Sequence, residues 1–587
     1  MNVAAATQSG EKATIGPYLG RTSVAYFSME IALCAEIHTY SGGLGVLAGD
    51  TVRTSADLAL PMVFVTLLYR RGYLHQAIDA DGRQVDHPDP WSPEDHATPL
   101  RAKVALLIEG REVWVRPWLY VLRNPAGKSA PVLLLDTDLP ENQPEDRPIT
   151  DTLYGGDGTY RLKQEIVLGI GGLRIVAALG FQIARYHLNE GHAALLALDL
   201  LRRHPRPPDQ VYPGQLRYDV ARVRERCVFT THTPVEAGHD HFAYELFGHL
   251  LQGYVELDQL RQLAGNDRLN MTRLALGLSG YINGVAVRHA EIATRMFPDY
   301  DIRAVTNGIH VPSWAHPAFA ELFNHHSKDW SSLPMDMLRF DQLPSDEVWK
   351  AHLSARSDLI ALVRRVADTT LDPGQPIIGF ARRVAAYKRP GLIFSDLERL
   401  KAIHAKHPFQ LVFAGKAHPH DGPAKELIRQ IHQAIGALAP ELRIAFLPNY
   451  DLSIAPVVIA GADVWLNTPE PPLEASGTSG MKAAVNGVLN LSVLDGWWIE
   501  ACIEGVTGWA IGGGAGGTLA ASADHLYDKL EHVVLPLYYE HRQRWIWMMQ
   551  QSISKIGSRF NTHRMMLRYV AEAYLPRYGA QPADMHA

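Results

Sequence analysis

Three cysteines in 587 residues, Cys34, Cys227 and Cys502, stand far apart, and none forms a CxxC pair. That scarcity excludes a disulfide framework and a thiolate zinc cluster, and it fits a reducing cytosol. An excess of one charge is missing too, since 56 basic and 62 acidic side chains leave a formal charge of −6. A nucleic-acid binder would need a basic field. The longest apolar stretches, 61–69 and 166–181, are too short or contain Arg174, whereas a bilayer span takes about 20 apolar residues in a row. The first residues lack the basic and apolar regions of a signal peptide. Low complexity is confined to Gly512–Gly517, read as a loop. The expectation is a cytoplasmic globular protein with neither nucleic-acid nor membrane partners.

Apolar content is ample. With 47% hydrophobic residues the chain can bury real cores, and a single core stops growing at roughly 250–300 residues. Strand-like runs in the first half are Val24–Ser28, Met62–Tyr69, Val104–Leu122 (two strands around Glu109-Gly110-Arg111), Pro131–Leu135 and Val228–Thr231. Residues 161–179 read as a helix, with Ile166, Ile170, Leu173 and Ala177 at helical spacing. In the second half the runs Pro376–Ala381, Gln410–Ala414, Leu442–Leu447, Ala462–Asn467 and Val488–Val493 alternate with helix-length stretches. That rhythm predicts a parallel sheet covered on both faces. Val311-Pro312-Ser313 and His316-Pro317 interrupt the pattern, and helical sequence resumes around Asp346–Ala367. The fold class expected is α/β, two Rossmann-like doubly wound domains facing across a cleft, one over 1–315 and one over 316–587.

Ligands of parallel sheets sit beyond the carboxyl ends of the strands, and there the sequence turns unusual. Residues 382–389, after the strand 376–381, gather Arg382, Arg383, Lys388 and Arg389 within eight positions. They read as a phosphate site for at least two of the four, or as a solvated helix face. Residues 474–487 carry Ala475, Ser476, Gly477, Thr478, Ser479 and Gly480 before Lys482. Small residues let backbone approach a ligand closely, and a helix starting there would favour an anion. The same segment also reads as a capped helix start with a solvated lysine. It is no Walker A loop, for the spacing is absent. The glycine turn Gly42-Gly43-Leu44-Gly45 is weak evidence alone. His232, His239 and His241 invite a metal, but their spacing matches neither a helix face nor a hairpin, so no metal is expected. Asn307-Gly308 reads as a turn. Together these residues suit phosphoryl or sugar-phosphate ligands held in a cleft between domains.

The chain resembles the α-glucan (glycogen, starch, maltodextrin) phosphorylases, in particular the short bacterial-type members. The family's pyridoxal-phosphate segment, EASGT-x-x-MK followed by NG, stands at 474–487, its phosphate segment KR-x-x-x-YKR at 382–389, and its GGLG loop at 42–45. Further matches in the same order are 26–30, 161–165, 189–192, 231–234, 283–286, 306–309, 415–417 and 449–450. The resemblance implies a GT-B architecture and phosphorolysis of α-1,4-glucan ends by inorganic phosphate, giving α-glucose 1-phosphate with retention. Lys482 would hold pyridoxal 5′-phosphate as a Schiff base, and the cofactor would act through its phosphate group. Thr478, Ser479, Tyr450, Lys388 and Gly43 would surround the cofactor. Arg383, with Gly42, Gly43 and Leu44, would bind the substrate phosphate. Glu474, Ser476 and Gly477 would hold the glucosyl 3- and 4-hydroxyls, and His232 and Asn307 the 6-hydroxyl. Lys482, Arg383, Lys388 and His232 would be the catalytic set, and a homodimer is expected from relatives.

Departures from the family pattern are Ala385-Ala386 where many members have His-Glu, Ser479-Gly480 where many have Gly-Asn, Arg382 for Lys, and Ser41 for Asn. Only about 24 residues precede Ala25, so a phosphoregulatory segment like that of the animal enzymes is not expected. Competing readings are a nucleotide-sugar glycosyltransferase of the same architecture, with Lys482 left without a cofactor, and a silent glucan-binding protein.

Overall fold

The computed structural model describes residues 13–512 and 518–575, so residues 513–517 of the glycine-rich segment lie outside the described residues. Strand Val24–Ser28 is central to the first sheet, paired in parallel with Met62–Leu67 on one side and Arg185–Asn189 on the other. Its own residues alternate between two cores. Ala25 and Phe27 enter one, Val24 and Tyr26 the other, as the two-residue period of a strand dictates. Ser129–Asp136 extends one flank, and Cys227–Thr230, Tyr281–Gly284 and Ile302–Ala304 extend the other, all parallel. Helices cover both faces, and strands such as Met62–Leu67 are buried along their whole length.

An antiparallel extension departs from the doubly wound plan. Arg111–Arg123 runs against Ser129–Asp136 and carries Val104–Ile108 on its own hairpin. The two strands turn where the sequence reading put them, at Glu109 (φ 52°) and Gly110 (φ 75°), a pair of left-handed residues that suits a tight hairpin. The helix expected over 161–179 spans Gly158–Ala178, with a π turn at Val167–Gly171. Glycines let it lie close, since a Cβ on Gly172 would stand 2.7 Å from the Phe27 ring.

The second sheet is wholly parallel, in the order Ile444–Leu447, Gln410–Ala414, Ile377–Ala381, Val464–Asn467, Leu489–Val493, Gly508–Ile511. The sequence pattern located five of these strands; Gly508–Ile511 was not foreseen. Strand order reverses between Ile377–Ala381 and Val464–Asn467, the point where such sheets bind ligands.

The halves are stitched together by hydrogen bonds. The hairpin 75–78/84–87 sends Gln76 Nε2 to Gly415 O (2.9 Å) and Gln84 Nε2 to Ala417 O (2.9 Å), while Lys416 Nζ returns to Leu74 O (2.9 Å). The last helical segment crosses back. Asn561 bridges Ile309 in parallel, and Met565, Met566, Tyr569 and Ala573 pack into the first sheet's core. Among the described residues no helix is long and apolar enough to cross a membrane.

Candidate active site

The glycine loop follows the central strand of the first sheet and opens the helix Gly43–Asp57. A Cβ on Gly42 or Gly43 would meet nothing within 4 Å, so the loop faces open space. Glu30, at the end of the same strand, organises it. Its Oε2 accepts the N–H groups of Ser41 (2.5 Å) and Gly42 (3.1 Å), and its Oε1 accepts the Tyr154 hydroxyl (2.9 Å). Of the loop residues expected to meet a phosphate, Gly42 has its N–H held by Glu30 in this structure.

Across the cleft, the segment after Ile377–Ala381 divides its four cations. Arg389 turns away to bond Thr468 O (2.9 Å) and Pro469 O (2.7 Å), a structural task. Arg383 is exposed to solvent although protein surrounds it, with Tyr387, Tyr73 and Glu30 as its electrostatic neighbours. Dense surroundings with open access are what a cleft wall looks like. Lys388 and Arg382 converge on Glu474. Lys388 Nζ lies 2.9 and 2.7 Å from its two oxygens, and Arg382 Nη2 lies 2.6 Å from Oε2. Burial raises the Glu474 pKa, but these two cations outweigh it and hold the carboxyl down at about 2. Arg382 also bonds Asn467 Oδ1, yet its buried Nε has no partner.

The loop 474–478 is clamped from the strand beyond. Glu474 N donates to Asp495 Oδ2 (2.8 Å), and Trp497 N donates to Ser476 O (2.9 Å). Gly477 sits at φ 85°, left-handed backbone that favours glycine. The helix that follows, Ser479–Ala484, is short, with Lys482 in its last turn. Lys482 is buried (6% exposed), and its amine lies 3.8 Å from the centre of the Trp314 ring with no hydrogen-bond partner among the described residues. Burial brings its pKa down to about 8, against the raising field of Asp50. The departure at Ser479-Gly480 is compensated locally. Ser479 Oγ accepts Trp465 Nε1–H (3.1 Å), and Asn490 Oδ1 stands 2.3 Å from where a Gly480 Cβ would be, leaving no room for a side chain.

His232 belongs to the first sheet's strand ends. Its Nε2 meets Asn189 Oδ1 (2.7 Å), and Asn189 is oriented by donating Nδ2–H to Ser28 Oγ (3.0 Å). Burial lowers the His232 pKa to about 3, so the ring is neutral, with Nε2 as donor and Nδ1 left as an acceptor. Glu190, at φ 75°, fixes the backbone by accepting His232 N–H (2.7 Å). Asn307 follows the edge strand, donates N–H to Val285 O (3.0 Å), and keeps a buried Oδ1 without a partner; Ser476 Oγ is likewise unpartnered. Unpaired buried polar atoms are costly. The other two histidines have structural partners, His239 with Thr272 Oγ1 (2.8 Å) and His241 with Asn270 Nδ2 (2.9 Å).

The structure thus brings Arg382, Lys388 and Glu474 into one buried cluster, with Tyr450 in the electrostatic field of Arg382. Beside the glycine loop, a cavity of about 250 Å³ is lined by Tyr40, Ser41, Tyr73, Lys416 and Tyr450, from both halves of the chain. Lys482 occupies a separate neighbourhood with Trp314, Asp50 and Arg53, and His232 one with Asn189 and Glu190. Sequence reasoning gave no role to Glu30, Asp50, Trp314 or Asp495. Glu30 and Asn189-Glu190 did fall within matched motifs, a signal that could have found them.

Two helix-covered sheets built largely of parallel strands, with cations gathered beyond a strand end of the second, have the α/β make-up of the GT-B fold. The profile of the family described as carbohydrate phosphorylase matches residues 240–508. The chain is 38% identical to the maltodextrin phosphorylase of Thermococcus litoralis, over 94% of this chain and 70% of that protein. It is 37% identical to the glycogen phosphorylase of Mycobacterium tuberculosis (94% and 71%), and 35% identical to that of Aquifex aeolicus (94% and 86%). The chain belongs to the carbohydrate phosphorylase family.

Proposed function

We propose that this chain catalyses phosphorolysis of α-1,4-glucan non-reducing ends, releasing α-glucose 1-phosphate with retention of configuration, and that it uses pyridoxal 5′-phosphate. The similar proteins named maltodextrin and glycogen phosphorylase support the glucan as substrate class. The observation that carries the reading is Lys482, only 6% exposed, with its amine over the Trp314 ring and no hydrogen-bond partner among the described residues. Burial lowers the proton affinity of the amine, which suits attack on a carbonyl.

These residues fit the cofactor. Lys482 would hold it covalently, and Thr478, Ser479, Tyr450, Lys388 and Gly43 would surround it. When bound, the cofactor supplies a phosphate group able to exchange a proton with the substrate phosphate. Arg383, open to solvent on the cleft wall, binds the incoming phosphate with Gly43 and Leu44, while Gly42 is braced by Glu30. Lys388 and Arg382 hold the negative charge that two neighbouring phosphates concentrate, which raises the proton affinity of each. The unpartnered Ser476 Oγ and Asn307 Oδ1 offer hydrogen bonds to glucosyl hydroxyls, with Gly477 and Glu474 beside Ser476. The free His232 Nδ1 accepts from the 6-hydroxyl. We further propose two functional domains, 1–315 on the glucan side and 316–587 on the cofactor side.

The test is release of glucose 1-phosphate from maltodextrins and glycogen in the presence and absence of phosphate, together with borohydride reduction and peptide mapping. A pyridoxyl group on Lys482 and strictly phosphate-dependent release are expected. Colourless protein without an adduct, inactive with added pyridoxal phosphate, overturns the reading. Arg383→Ala is expected to keep the cofactor while raising KM for phosphate at least tenfold.

A further inference from the structure

The side chains around Lys482 form one connected unit. Asn486 Nδ2 donates to the carbonyls of both Lys482 (2.9 Å) and Trp314 (2.8 Å), and Asn486 Oδ1 accepts His316 N–H (2.7 Å). That single amide ties the lysine's helix to the segment bearing its aromatic platform. The ring is fixed at its far edge as well. Trp314 Nε1–H donates to Asp50 Oδ2 (2.9 Å), which also accepts His310 N–H (3.1 Å). Asp50 is 2% exposed and lies on the glycine-loop helix, with its other oxygen 3.6 Å from Arg53 Nη1. Arg53 is itself turned to backbone, bonding Ala32 O (3.2 Å) and Leu33 O (2.5 Å).

We infer that Asp50 is a positioning residue for Lys482, acting through the Trp314 indole to fix where the amine waits and to keep it an ammonium ion until an aldehyde arrives. This rests on the proposed reading of Lys482 as the cofactor lysine. An ammonium over an indole face is attracted by the ring's negative face. A carboxylate bonded to the indole N–H pins the ring and adds negative charge behind it. Asp50 and Arg53 on the glycine-loop helix are the charged groups whose field reaches the amine. His310, Asp57 and His563 form the next layer, joined by the His310–Asp57 contact of 2.7 Å. The helices 455–461 and 542–559, packed on the lysine helix, contribute buried apolar residues including Val458, Ile459, Met549 and Ile553.

Capture requires the ammonium to release its proton to solvent. The nitrogen then bonds the aldehyde carbon, forming a carbon–nitrogen double bond and expelling the carbonyl oxygen as water. Removing the Asp50 charge makes that proton easier to lose, so capture should proceed at lower pH.

The experiment strips the full-length protein of any bound aldehyde and adds pyridoxal phosphate at a series of pH values. The rate of the borohydride-trappable adduct on Lys482 is followed by mass spectrometry. In the unaltered protein the rate should rise through a midpoint near pH 8, the value that burial sets for the amine. Asp50→Asn should move the midpoint down by about half to one unit, making capture about three- to fivefold faster at pH 7, and Asp50→Glu should restore it. Trp314→Phe keeps a ring but removes the N–H bond, so it should shift the profile the same way and add little to Asp50→Asn. It also serves as the test should Asp50→Asn fail to fold. An unshifted midpoint in either variant, with the adduct on Lys482 intact, overturns the inference. An unaltered protein that forms no adduct on Lys482 overturns the cofactor reading itself.

Discussion

Glu474 lies between Lys388 and Arg382, all three at most 10% exposed in their side chains. Replacing it by Gln leaves two buried cations facing a neutral amide, and breaking such a pair costs about 3 kcal/mol or more. Phosphate can supply the lost negative charge. Glu474→Gln should therefore be markedly destabilised in phosphate-free buffer and regain stability on titration with phosphate, by about 2.7 kcal/mol at a hundredfold excess over Kd. Urea unfolding at several phosphate concentrations checks this; equal response of the unaltered protein and the variant would count against it. The sign of the pH dependence follows from the depressed folded-state value of about 2. Stability from Glu474 is fully present above the unfolded carboxyl's pKa of about 4.3 and drains away as pH falls from there towards 2. The variant should lose less stability over that acid window.

At the scale of elements, the helix Gly43–Asp57 presents the glycine loop at its first turn and Asp50 further along. A Cβ on Gly45 would lie 2.7 Å from Glu30 Oε2 and 2.7 Å from Tyr40 Cβ. Gly45→Ala should thus dislodge the carboxylate that braces Ser41 and Gly42, costing about 1–3 kcal/mol and weakening phosphate use. A thermal melt alongside KM for phosphate tests it, and a variant with unchanged melt and KM would refute the bracing role. Elements were legible where they declare themselves locally. The apolar runs 24–28, 62–67, 377–381 and 410–414 could be read as strands, and the polar sequence at their ends marked the cleft. Arg185–Asn189 could not, because Arg, His and Asn are poor signals for a buried strand. His187 is tolerated inside only because Tyr574 OH (2.7 Å) and Thr230 Oγ1 (2.8 Å) satisfy its ring, and one partner comes from the far end of the chain. For the same reason the pairing of Asp50 with Trp314, 264 positions apart, leaves no trace in local pattern, whereas Arg383 and Lys482 stand in contiguous motifs.

At the scale of the whole molecule, the last described helical segment docks on the first sheet. Tyr569 OH meets Thr230 Oγ1 (3.1 Å) and Asn283 Nδ2 (3.0 Å), and Tyr574 OH meets His187 Nδ1 (2.7 Å), all on the first sheet. Burial lowers the His187 pKa to about 3, so the ring is neutral and its Nδ1 needs a donor. Tyr574→Phe leaves that nitrogen unsatisfied and should cost about 1–3 kcal/mol. Equilibrium unfolding in urea measures it; a cost below about 0.5 kcal/mol would show the contact to be idle.

That returning segment has a temporal consequence. The first sheet's strands are complete once Ala304 has been synthesised, yet one of its cores still lacks Met565, Met566, Tyr569 and Ala573. At roughly 5–20 residues per second, about 260 further residues pass the ribosome over tens of seconds before those side chains emerge. Through that interval an apolar face that the finished protein hides stands open in the nascent chain. The order of synthesis, rather than any surface of the folded enzyme, makes this the stage at which a chaperone has something to hold.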